Sequence, residues 1–250
     1  DKTQAQINAN QKQTNDNYLS KLSNELYVDD YIAKAATIRD GFIAALTDLK
    51  NSGGGTLNLG KGKSYLIFTS TSGASTNILD FDKLQNVTIN FNSSEIVVDT
   101  SNIQAVPRIL HLKNPKNITF NDVRVRDIAE KAISGTSPPN HWGPDFVRIT
   151  CDDTVATKDK GGIVINNVDA FSLDSLMVID GYNGTQWQTQ TEFKNIAITG
   201  RVRILNCYYG VNFINAGDDF NGVLHGENVR RLYYPCGVKN HSVIATMKGN

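Results

Sequence analysis

A phrase of two short apolar strands recurs along this chain at a near-constant interval, and the recurrence restricts the fold more than any other feature. Ile78-Leu79-Asp80-Phe81 leads through the turn Asp82 to Gln85 into Asn86-Val87-Thr88-Ile89-Asn90-Phe91. Ile109-Leu110-His111-Leu112, the turn Lys113 to Lys116 and Asn117-Ile118-Thr119-Phe120 repeat it 31 residues later, down to the asparagine before the second strand. A third copy reads as Ile163 to Asn166 followed by Ala170 to Leu173, with Asp174 to Asp180 paralleling Asn121 to Asp127. Asn195-Ile196-Ala197-Ile198 and Asn228 to Leu232 carry later echoes. Intervals of about 25 to 33 residues, one of them doubled, are those of a solenoid, whose units are too small to bury an apolar face alone and stack on their neighbours. Each unit supplies two or three strands that pair in parallel with those of the next, so only the two ends expose unpaired edges. The expected fold is all-β, a parallel β-helix.

Ahead of the repeats, Ile32, Ala35, Ala36, Ile38, Phe42, Ile43, Ala45, Leu46 and Leu49 recur at helical spacing up to Ser52-Gly53-Gly54-Gly55, which predicts one helix over about 30–51 placed to cap the first end. Residues 1–28 form a polar leader. Its thin apolar stripe (Ile7, Tyr18, Leu19, Leu22, Leu26) suits a weak helix that joins copies of itself, or else a mobile end. The β-helix then runs over 29–250. Ala129 to Phe146 and Cys151 to Gly162 break the phrase and read as insertions, which in solenoids gather on the ligand-binding face.

Lys plus Arg equals Asp plus Glu at 25 each, so no charge excess draws the chain to nucleic acid or to an anionic membrane. No apolar run reaches the length of a membrane span, and no basic-then-apolar leader directs export. Cys151, Cys207 and Cys236 are too few for a disulfide framework and read as small buried residues, with no metal or cofactor implied.

The run Ala36 to Leu46, through Ser52-Gly53-Gly54-Gly55-Thr56-Leu57-Asn58-Leu59 to Tyr65, resembles the opening of the pectate-lyase-like right-handed parallel β-helix superfamily, and the resemblance extends over about residues 30 to 247. It implies a right-handed helix that handles polysaccharide. The polar leader inclines the comparison to phage tailspikes, which implies a homotrimer on the virion tail that attaches to the host and cleaves capsule or O-antigen; a secreted bacterial protein is the alternative. Fold alone does not fix the reaction.

Glycosidic hydrolysis needs a proton donor and a second carboxylate, about 5 Å apart for retention and about 6.5–9.5 Å for inversion. The densest candidate is Asn215 to Glu227, where Asp218, Asp219, His225 and Glu227 follow the apolar strand Val211 to Ile214; Arg230 and Arg231 stand ready for an anionic sugar. The segment partly resembles the paired aspartates and histidine-glycine of polygalacturonases, but it compresses them into one stretch and lacks the arginine-lysine motif. A solvated turn is the plainer reading of Asp218-Asp219. The pair Asp152-Asp153 lies among lysines and makes a poor calcium cage. Sugar rings need flat aromatic partners and hydrogen-bonding side chains, which His141-Trp142 and Tyr182 to Gln188, including Trp187, would supply. Three functions are expected in competition: a tailspike-like polysaccharide hydrolase; a bacterial polysaccharide lyase using Lys239, His241 or Arg230-Arg231, or another β-helix carbohydrate enzyme; and a non-catalytic glycan-binding adhesin or structural β-helix.

Overall fold

The computed structural model describes residues 24–69, 77–102, 106–130, 143–151, 160–181, 193–214, 219–236 and 240–248, with five positions of the leader. Helix α1 (Val28–Ile32) and helix α2 (Ile38–Asn51) follow a short strand β1 (Glu25–Tyr27). The single helix predicted over 30–51 is therefore two. Thr37 is extended (φ −137°, ψ 160°), and its hydroxyl accepts from the Asp40 amide at 3.1 Å, so it starts a new helix rather than continuing the old one. Gly41 permits the close packing of the two helices, because a Cβ there would lie 2.6 Å from Ile32.

Fifteen further strands follow: β2 (Gly55–Asn58), β3 (Ser64–Thr69), β4 (Asn77–Asp82), β5 (Gln85–Asn90), β6 (Glu95–Asp99), β7 (Arg108–Lys113), β8 (Lys116–Asp127), β9 (Asp145–Thr150), β10 (Gly161–Phe171), β11 (Ser175–Asp180), β12 (Ile196–Leu205), β13 (Tyr209–Ile214), β14 (Phe220–Glu227), β15 (Arg231–Cys236) and β16 (Ser242–Lys248). Two sheets result. Sheet A runs β1-β2-β5-β8-β10-β12-β14-β16, with β6 joining β3 to β8, and sheet B runs β15-β13-β11-β9-β7-β4. From β7 on, the chain alternates strictly between the sheets, and every pairing is parallel. The molecule is an all-β protein of two long parallel sheets, compatible with a parallel β-helix.

Like packs on like between strands. Leu57, Ile89, Phe120, Ile165 and Ile198 stand in register across sheet A, and all are buried. Each such side chain contributes about 1.5–3 kcal/mol on burial. Beside them runs a hydrogen-bonded ladder. Asn90 Nδ2 donates to Asn58 Oδ1 (2.9 Å), Asn121 to Asn90 (2.8 Å) and Asn166 to Asn121 (2.9 Å), and Thr199 Oγ1 donates to Asn166 Oδ1 (2.5 Å). The sequence steps between rungs are 32, 31, 45 and 33 residues.

A column of left-handed residues turns the chain into sheet A. Asn86 (φ 55°) and Asn117 (φ 53°) stand opposite one another just before the paired Val87 and Ile118; Gly162, Asn195, Asp219 and Asn240 hold the same corner farther along. Glycine, asparagine and aspartate are the residues that tolerate this conformation. The asparagine common to the two sequence phrases is thus a corner residue.

Two sequence expectations change. The third phrase was placed one strand out of phase: Ile163 pairs with Ile118 and not with an Ile109 equivalent, and Ser175 to Asp180 belong to sheet B beside β9 and not beside Asn121 to Asp127. The cause is β9, whose first residues, Asp145 and Phe146, fell inside the stretch read as an insertion. Missing it shifted the count, because apolar strands of the two sheets look alike in sequence. Helix α2 lies against β2, β3 and β4, with the Phe42 and Tyr65 rings edge to face at 5.5 Å, in the place the sequence predicts for the capping helix.

Candidate functional site

The positions of sheet B that alternate with its core residues carry the chemistry. One column in register reads Asn77, Arg108, Asp145, Ser175, Tyr209, Arg231, and the next reads Asp80, His111, Arg148, Val178, Asn212, Tyr234. Leu79, Leu110, Val147, Met177 and Val211 lie in the core, and alternation aims the Asp80 column away from it; the Asn77 column sits at the strand starts, where its side chains meet that outward column, Asn77 with Asp80 at 2.9 Å and Asp145 with Arg148 at 3.3 Å. All seven internal segments outside the described residues (70–76, 103–105, 131–142, 152–159, 182–192, 215–218 and 237–239) connect directly to a strand of sheet B in the sequence.

At the first end of this face, His111 is held from both ring nitrogens. Nδ1 lies 2.7 Å from Asp80 Oδ1, and Nε2 lies 3.0 Å from Thr150 Oγ1. Asn77 Nδ2 donates to the other Asp80 oxygen at 2.9 Å, so the arrangement is satisfied with the imidazole proton on Nδ1 and a lone pair on Nε2. Burial lowers the His111 pKa and outweighs the hydrogen bond from Asp80, and the Arg108 and Arg148 guanidiniums lower it further. His111 is a neutral imidazole at pH 7. Its side chain is 12% exposed, against 56% for that of Asp80, so the carboxylate forms the open rim.

Next along the axis, Arg148 binds Asp145 at 3.3 Å and Asp180 on the other side. Burial pushes the Asp145 carboxyl up although Arg148 opposes it, and burial followed by the Asp145 charge pushes Asp174 well above the usual carboxylate range. Ser175 Oγ donates to Asp174 Oδ2 at 3.0 Å. Buried ionised groups at this density are poor stabilisers. Asp145 Oδ1, Asp174 Oδ1, Arg148 Nε and Arg108 Nε are buried with no hydrogen-bond partner. Perturbed, incompletely satisfied groups on one face mark a functional site more than a structural one.

At the far end of the same face, aromatic rings replace the carboxylates. Tyr209 and Tyr234 lie 5.7 Å apart, Arg230 stands 4.8 Å over the Tyr208 ring and Arg231 4.8 Å over the Tyr234 ring. Tyr233 packs on the core while Tyr234 is exposed, as strand alternation requires.

The sequence-read candidates are dispersed. Arg230 and Arg231 belong to this face. Asp219 (φ 63°) is the corner residue before β14, and its neighbour Asp218 lies outside the described residues. His225 and Glu227 project from the far half of β14 in sheet A, both exposed, with Glu227 3.7 Å from Lys248 Nζ. Asp219 and Glu227 thus stand at opposite ends of one strand, away from sheet B. His141, Trp142, Tyr182, Trp187 and Lys239 also lie outside the described residues. His241 contacts the Tyr233 hydroxyl next to Phe213. Sheet A also bears a concavity of about 460 Å³, but its walls pair internally, Arg126 with Glu95 at 3.1 Å and Arg203 with Asp169 at 3.2 Å.

Sequence reasoning missed Asp80, His111, Arg108, Arg148, Asp145 and Asp174. One signal was present: the outward position of the repeated phrase holds Asp80 in the first copy and His111 in the second. Among the described residues there is no group of three or more His, Cys, Asp or Glu placed to hold a metal, and no helix is long and apolar enough to cross a membrane. No family model, curated protein or solved structure matches the chain.

Proposed function

We propose that this chain is a right-handed parallel β-helix of the phage-tailspike kind, which lays a bacterial surface polysaccharide along the outer face of sheet B and hydrolyses it. The observation that carries the reading is the axial run of that face, from the Asp80–His111–Arg148–Asp145 network to the Tyr209–Tyr234 rings. Parallel strands stand about 4.8 Å apart, so equivalent side chains repeat along the axis at a spacing suited to successive units of an extended polymer. Aromatic faces take the apolar side of a sugar ring and the charged residues take its hydroxyls. The strict alternation between sheets and the left-handed corner column support the β-helix.

For hydrolysis, Asp80 offers an exposed carboxylate and burial pushes the Asp174 carboxyl well above the usual range; the two lie three strand steps apart along sheet B, so each would work with a second group along the path of the glycan. One observation favours a second reading, a lyase: neutral His111 offers Nε2 as a base beside the Arg108 cation. Either protein would act outside the bacterial cell, as a homotrimer in the tailspike case.

The test is incubation with capsule and O-antigen preparations. New reducing ends without ultraviolet absorbance from an unsaturated uronate support hydrolysis, and the absorbance marks a lyase. Retention of glycan without cleavage leaves an adhesin, and no retention of any glycan removes the reading. Asp80→Asn, His111→Ala and Asp174→Asn are expected to abolish cleavage. If only Asp219→Asn or Glu227→Gln does so, the catalytic centre lies on β14.

A further inference from the structure

The geometry points to Arg108 as the residue that binds a carboxylate of the glycan, which makes the preferred substrate an acidic polysaccharide containing uronic acid or a similarly carboxylated sugar. This rests on the glycan reading above and narrows it.

The two guanidiniums of the sheet B cluster differ sharply in partners. Arg148 is neutralised within the protein by Asp145 and Asp180. Arg108 stands one strand away, half-buried, with no carboxylate of the described residues within ion-pair distance. It donates to the neutral Asn77 Oδ1 at 3.3 Å, and its Nε is buried without an acceptor. The carboxylates around it are engaged elsewhere, Asp80 by His111 and Asn77, and Asp145 and Asp180 by Arg148. Burial, and then the like charge of Arg148, weigh against the Arg108 cation more than these acids help it, and its pKa is lowered.

Arginine keeps its charge in proteins and carries five donors in a planar fork matched to a carboxylate. A half-buried guanidinium that only a neutral amide holds, with no described carboxylate to balance its charge, is therefore a preformed position for an external anion at its open edge. Its neighbours fix where that anion sits: beside uncharged His111, which leaves Arg108 as the group that draws it, and on the column that leads to Tyr209 and Arg231. A carboxylate bound here would hold one sugar against Asp80 and His111 while the chain continues toward the aromatic end.

The experiment uses the full chain and a panel of acidic and neutral capsular and O-antigen polysaccharides, with each acidic glycan also supplied in carboxyl-reduced form. Wild type, Arg108→Gln and Arg108→Lys are compared after circular dichroism establishes that each is folded. Acidic glycans are expected to be retained, and loss of a charge-assisted pair is expected to weaken affinity by about ten- to a hundredfold. Carboxyl reduction and Arg108→Gln should each produce this loss. Together they should cost little more than either alone, because both remove the same contact. Arg108→Lys should recover part of the affinity, a lysine supplying the charge without the fork. Equal retention of neutral and acidic glycans, or fully additive losses, would overturn the assignment of Arg108 and leave the glycan reading standing. Failure to retain any glycan would remove both.

Discussion

Replacing Asn121 by alanine tests whether the asparagine ladder holds neighbouring strands of sheet A together. Asn121 is a central rung: it donates to Asn90 at 2.8 Å and accepts from Asn166 at 2.9 Å. The substitution deletes two hydrogen bonds worth about 1 kcal/mol each and leaves the Asn90 carbonyl oxygen and the Asn166 amide, both half-buried, without that partner. The combined loss is about 2–3 kcal/mol. Asn58 is the first rung and accepts a single ladder bond, from Asn90 at 2.9 Å, so Asn58→Ala should cost about half as much. Urea unfolding of both variants at equal protein concentration measures the difference, with an unchanged slope showing that the same surface is exposed on unfolding. The Asn90→Ala, Asn121→Ala double variant should be less destabilised than the sum of its singles by about 1 kcal/mol, the shared bond being counted once. If Asn121→Ala matches Asn58→Ala, or sits within about 0.5 kcal/mol of wild type, the ladder is not a stabilising element and apolar stacking alone sets the register.

The corner column makes a second prediction: Asp219→Asn and Asp219→Gly should retain stability, whereas Asp219→Val should lose about 1–2 kcal/mol to its left-handed backbone, read by thermal unfolding. A result in which valine is tolerated as well as glycine would remove the corner role. Asp174 supplies a pH dependence. Its folded-state pKa is raised, so the folded chain keeps a proton that the unfolded chain releases, and this residue's contribution falls as pH rises from the ordinary carboxyl value of about 3.9 toward the raised one. Asp174→Asn should flatten that fall in melting temperature as pH rises above the ordinary carboxyl value; parallel profiles for the two proteins would refute the raised pKa.

Much of the fold was legible because it rests on local patterns. Ser52-Gly53-Gly54-Gly55 stopped the helix where α2 ends, and the two phrases at Ile78 and Ile109 are β4–β5 and β7–β8. What failed was phase. β9 is bracketed by residues 131–142 and 152–159, so no neighbouring phrase fixed its place, and the ladder step across it lengthens to 45 residues. The site was harder to read for a related reason. Asp80, His111 and Arg148 come from three strands separated by 31 and 37 positions, and only pairing register brings them together. The stretch from Asp218 to Glu227 is dense in sequence, yet a strand spreads such a cluster along its length, with Asp219 before the start of β14 and Glu227 at its end. Arg230 and Arg231 are the sequence candidates that adjoin sheet B, each over a tyrosine ring at 4.8 Å.

The division of labour between the sheets has a consequence for how such a protein changes over time. Sheet A holds the asparagine ladder and the left-handed corners, so a residue gained or lost there disturbs every neighbour in the stack. The seven internal segments outside the described residues instead adjoin strands of sheet B in the sequence. New loops can be exchanged there while the scaffold stays intact, and ligand preference can diverge quickly on a backbone that barely moves.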